Sequence, residues 1–89
     1  MQPLKGAPGH VLRTLQERIA QGQPAISYVD LSLETGYSVP TIQAAVGVLT
    51  RDSFIRVQKQ RSGRPQVYSL IPPEQRRAQV AARLVNLIQ

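Results

Sequence analysis

"GYSVPTIQAAVGVL", residues 36 to 49, contains a turn and most of a helix in one short run. Gly36 reaches positive φ without a steric penalty, so it can end a preceding helix, and Pro40 suits the first turn of the next one. Ser38 or Val39 caps that helix. Because proline restricts its predecessor to extended backbone, Val39 is expected to be the last non-helical residue. Ile42, Ala45, Val46 and Leu49 then fall at i, i+3, i+4 and i+7, a single apolar stripe. Thr41, Gln43, Ala44, Gly47 and Arg51 are left on the other side, which is small-sided and, apart from Arg51, uncharged. A solvent face is normally filled with lysine and glutamate, whereas small residues let a backbone approach another surface closely.

Toward the N-terminus, residues 1 to 7 lack periodicity and read as a flexible lead-in. Pro8 suits a helix start. Leu12, Leu15 and Ile19, helped by Val11, recur at helical spacing, and Gly22 is placed to stop the chain, giving a first helix over about 8 to 21. In "GQPAIS" (22 to 27) Ile26 is the one large apolar residue, enough for a strand of one or two residues. Ser27 with Asp30 has the spacing of a capping box, so a short helix follows over roughly 28 to 35, with Val29, Leu31 or Leu33 facing inward.

Toward the C-terminus the period changes to two. Ile55 and Val57 alternate with Arg56 and Gln58, and Tyr68 and Leu70 alternate with Val67 and Ser69. "QRSGRP" (60 to 65) joins these strands as a hairpin tip. Pro72 and Pro73 stop the sheet and begin a last helix, about 73 to 88, with a broad apolar stripe made by Val80, Leu84 and Leu87 with Ala81, Val85 and Ile88.

Composition narrows the function classes. The 89 residues make one domain, without cysteine for a disulfide or a thiolate metal site, and with His10 as the one histidine. No metal and no cofactor is expected. No apolar run is long enough for a signal peptide or a membrane span, so the expectation is a cytoplasmic, nucleoid-associated protein. Charge is informative through its position: residues 1 to 55 are balanced, and the whole net charge of +6 lies in 56 to 89, where seven basic residues face Glu74 alone. That asymmetry favours a polyanionic partner, since each cation that neutralises a phosphate releases counterions. An enzyme is not expected: there is no nucleophile with a nearby base, no paired carboxylates and no phosphate-cradling glycine loop.

"DLSLETGYSVPTIQAAVGVLTRDSFIRV" (30 to 57) and "SGRPQVYSL" (62 to 70) together resemble the winged helix-turn-helix superfamily of MarR-like and GntR-like bacterial regulators. Leu31 is similar to the anchor of the second helix, Gly36 to the turn glycine, Thr41 with Ile42 to the start of the recognition helix, and Leu49 to the leucine that packs its end. Phe54 and Ile55 resemble the pair entering the first wing strand. The likeness covers about residues 26 to 71 and rests on the spacing of all these features. It implies a mainly α fold with a small β-hairpin, in which a lead-in (1 to 7), a winged helix domain (8 to 71) and a C-terminal helix (72 to 89) follow in order. Two departures stand out. Ser53 occupies a left-handed position usually held by glycine, so that turn is expected to be built differently or to carry modest strain. The recognition helix also lacks the usual arginine or lysine on its outer face.

The resemblance implies duplex DNA as partner, with Ser38, Val39, Pro40, Thr41, Gln43, Ala44 and Gly47 on the recognition helix facing the major groove. Gln43 can bond adenine bidentately; Val39, Pro40 or Ala44 can meet a thymine methyl. Arg56, Lys59, Arg61, Ser62, Gly63 and Arg64 form the wing, where the two tip arginines can enter a narrow minor groove or fork onto phosphate. Arg76 and Arg77 touch flanking phosphates or are solvated, and Arg51 pairs with Asp52 or a phosphate. Tyr28, Tyr37 and Tyr68 raise a base-stacking alternative, but each falls where the fold would bury or half bury it. The last helix either closes the core over the first or pairs with the same helix of a second subunit through Val80, Leu84, Leu87 and Ile88; the width of its apolar band favours a homodimer. The expected function is a small bacterial, plasmid or phage transcriptional regulator, a repressor. The alternatives are a plasmid replication or partition protein, or a winged helix used for protein contact. The chain ends on "NLIQ" without a polar tail, the pattern expected of the N-terminal piece of a longer protein.

Overall fold

The structure, a computed structural model, describes residues 6–61 and 64–88, excluding the side chains of 79, 80, 83 and 85–88. It is a mixed α+β chain in the order α1 (Gly6–Ala20), β1 (Ala25–Ile26), α2 (Tyr28–Thr35), α3 (Val39–Arg51), β2 (Ile55–Gln58), β3 (Gln66–Leu70) and α4 (Pro73–Ile88). The three strands form one antiparallel sheet in the order β1-β3-β2. Ile26 does lie in a two-residue strand, with Ala25 opposite Val67 and Ile26 opposite Gln66. The hairpin register sets Ile55 against Leu70 and Val57 against Tyr68.

Local chemistry explains the helix ends. α1 begins two residues before Pro8, at a left-handed Gly6, and Ala7 packs against the core, so the lead-in is shorter than its composition suggests. Residues 1–5 lie outside the described residues. α1 closes in a Schellman arrangement: the Gln23 N–H donates to the Arg18 carbonyl at 2.9 Å and the Gly22 N–H to Ile19 at 3.0 Å, with Gly22 at φ +75°. At α2, Ser27 Oγ accepts from the Asp30 N–H at 3.0 Å, and Gly36 takes φ +84°. The α3 cap corrects the sequence reading. Ser38 is the N-cap, in extended backbone, and Val39 is already helical, with Pro40 behind it. A serine oxygen can accept the Thr41 N–H, here at 3.4 Å, and a valine side chain cannot; that bond outweighs the bias proline imposes on Val39.

Ser53 resolves the first departure. The Phe54 N–H donates to Leu49 at 2.9 Å and the Ser53 N–H to Thr50 at 3.2 Å, the same closure as at α1, with Ser53 buried at φ +63° in glycine's place. The turn is therefore built the usual way, at a conformational cost of roughly 1–2 kcal/mol.

The core gathers Val11 and Leu15 of α1, Ile26 of β1, Leu31 of α2, the whole α3 stripe of Ile42, Ala45, Val46 and Leu49, then Ile55 and Tyr68. Tyr28 and Tyr37 are half-buried. Of the three α2 candidates only Leu31 goes inward: Val29 is 57% and Leu33 79% exposed, because the helix packs along the line of Leu31 and the half-buried Tyr28. α4 supplies no core residue among those described. The Cα radius of gyration is 13.8 Å, above the roughly 12 Å of a compact chain of this length. That excess suits a helix carried outside the core. No helix among the described residues is long and apolar enough to cross a membrane.

Gly36→Ala should cost about 1–2 kcal/mol, because nothing lies within 4 Å of the new Cβ and only the left-handed backbone resists it; a thermal melt should shift down by roughly 4–8 °C per kcal/mol. Burial, and secondarily the neighbouring Tyr28, raises the pKa of the Tyr68 phenol well above the ordinary tyrosine value. The folded state then holds that proton more tightly than the unfolded chain, so its contribution to stability is complete below about pH 10 and is lost as pH rises beyond it. Alkaline denaturation should be shallower in Tyr68→Phe than in the parent.

Candidate nucleic-acid interface

Burying four residues of α3 rotates the rest of that helix outward: Pro40, Gln43, Ala44, Gly47 and Arg51 are exposed, and Val39 and Thr41 are half-buried. Along this face runs an open trough of about 460 Å³, lined by Tyr28, Gln43, Val46, Gly47, Thr50, Arg51, Val57 and Lys59. Its far wall is β2, set beside α3 by the left-handed turn at Ser53. The trough therefore brings Gln43 and Gly47 of the helix to the same concave surface as Lys59 of the hairpin.

The predicted residues divide around it. Ser38 and Thr41 have their hydroxyls 2.9 Å apart within the cap, so both already serve the helix end. Arg61 and Arg64 are exposed at the hairpin tip, where the Arg64 N–H donates to the Arg61 carbonyl at 3.0 Å. Ser62 and Gly63 lie outside the described residues. Arg56 is exposed, but strand alternation with Val57 sends it to the opposite sheet face, away from the trough that Val57 and Lys59 line. Arg51 does pair with Asp52, Nε to Oδ1 at 3.2 Å, an exposed contact of small energetic worth. Arg76 is neither a free cation nor merely solvated: its guanidinium lies 4.0 Å from the centre of the Phe54 ring. Leu84 is 56% exposed; the side chains of Val80, Leu87 and Ile88 lie outside those described.

Tyr28 was missed as a site residue. It lines the trough and also a second recess of about 260 Å³ with Ser27, Arg64, Pro65 and Gln66. The available signal was its place directly after the cap Ser27 and the strand residue Ile26: once β1 pairs with β3, position 28 must stand beside the hairpin.

Among the described residues no three of histidine, cysteine, aspartate and glutamate come together as a metal ion would require. Compared with known proteins, the chain matches no protein-family model, no curated protein and no solved structure.

Gly47 bears most directly on this surface. Glycine inside a helix costs about 1 kcal/mol relative to alanine, and a Cβ added here would meet nothing within 4 Å. The fold has no need of it. Gly47→Ala should raise the melting temperature by several degrees, since the gain is up to about 1 kcal/mol in a domain of this size.

Proposed function

We propose that this protein is a small winged-helix DNA-binding regulator, a repressor of bacterial, plasmid or phage type, that reads duplex DNA sequence-specifically. α3 enters the major groove, and the β2–β3 hairpin, as the wing, reaches the backbone or adjacent minor groove through Arg61 and Arg64. Gln43, Ala44 and Gly47 meet base edges, with one bidentate bond available from the Gln43 amide and close approach allowed by the other two. Lys59 sits where a phosphate strand would pass between helix and hairpin. α4 brings two copies together.

The observation that carries this reading is the trough. A small-sided helix face, uncharged apart from Arg51, shares one concave surface with Lys59 of the hairpin, while the chain's net charge of +6 resides from Arg56 onward. The helix-strand-helix-turn-helix-hairpin order supports the winged-helix assignment. The same uncharged α3 face favours a second reading, docking of a protein, which predicts no salt-dependent affinity for DNA.

Fluorescence anisotropy with duplexes from upstream of the protein's own gene, against scrambled controls and across salt concentrations, separates the two. The upstream duplex should bind at least about tenfold tighter, a difference of roughly 1.4 kcal/mol. Arg61→Ala/Arg64→Ala should make the slope of log affinity against log salt shallower by about 2. Gly47→Ala, although more stable, should lose about tenfold in specific affinity. Equal weak binding to every duplex, unchanged in the double variant, would remove DNA recognition from this surface and leave the protein partner.

A further inference from the structure

The large apolar side chains exposed among the described residues fall in two places. Val29 and Leu33 stand on α2, and Leu70 and Leu84 on the side of β3 and α4. On α2 the exposed residues are Val29, Asp30, Leu33 and Glu34, so an apolar row runs on the face opposite Leu31 and an acidic row beside it on the flank. The helix carries no basic residue. Arg18 already holds Glu34 at 2.8 Å, whereas Asp30 has no ion pair among the described residues. α4 has the complementary character: Arg76, Arg77 and Arg83 against Glu74, with Arg77 and Leu84 seven residues apart and therefore on one face. Arg77 and Leu84 are both exposed, and α4 adds nothing to the core among the described residues.

We infer that α4 of one copy docks on the exposed face of α2 of a second copy, Leu84 against Val29 and Leu33, Arg77 near Asp30. The occupant follows from charge. Two α4 helices laid together would offer their arginines no acidic partner besides Glu74, whereas α4 on α2 sets a basic-apolar face against an acidic-apolar one. The inference rests on the self-association through α4 proposed above and is independent of DNA binding. It names what α4 touches.

Two patches that differ can be broken separately and complemented. Leu33→Asp and Leu84→Asp each alter an exposed side chain, and a thermal melt checks that both variants remain folded. Sedimentation velocity from micromolar to millimolar protein should show the parent associating, more weakly at high salt, and each variant alone weakened at least about tenfold, roughly 1.4 kcal/mol. An equimolar mixture of the two should associate more tightly than either alone, because an intact α4 on one copy meets an intact α2 on the other. If Leu33→Asp associates as the parent does while Leu84→Asp does not, α4 pairs with α4 and the inference is overturned. A parent that stays monomeric throughout overturns both the inference and the self-association beneath it.

Discussion

β3 is bonded from both sides, and the rest of the molecule depends on that. On one edge the Tyr68 N–H donates to the Pro24 carbonyl at 2.9 Å, and Ala25 and Ile26 continue the pairing; on the other edge all four residues of β2 find partners. The Tyr68 side chain is buried between these edges and the helices. Without a disulfide or a large core, a chain of this size has few ways to tie its ends together. β3 joins the connection before α2 to the hairpin after α3, and so encloses the helical segment between them.

That enclosure positions the candidate interface. α3 must put Ile42, Ala45, Val46 and Leu49 against α1 and α2, which leaves Gln43, Ala44 and Gly47 outward. The left-handed turn at Ser53 then returns the chain as β2 directly beside that outward face. The trough is a consequence of two packing demands met at once, and the free-energy cost of Ser53's conformation is part of meeting them.

Charge is arranged on the same plan. Lys59, Arg61 and Arg64 are exposed at or near the hairpin tip and Arg56 on the strand β2, and Arg76 turns back onto Phe54 where the sheet hands over to α4. Asp30 and Glu34 are exposed on α2, a helix without a basic residue, and Arg18 of α1 holds Glu34. The net charge of +6 is thus carried from Arg56 onward, while the exposed face of α2 is apolar and acidic.

The sequence by itself determined the order and period of the elements. The α3 stripe, the two-residue β1, the hairpin strands, the Gly36 stop and the extent of α4 all follow from side-chain spacing and from local turn chemistry, which neighbouring residues impose within a few positions. What only tertiary structure decided is which exposed or apolar positions meet. Val29 and Leu33 have the same hydropathy as Leu31, yet only Leu31 finds the core, because packing geometry and not local preference assigns the inward line. Tyr28 reaches the trough through a pairing between residues some forty positions apart; the alternation that separates Arg56 from Val57 is local, but which of the two faces meets α3 is decided by packing.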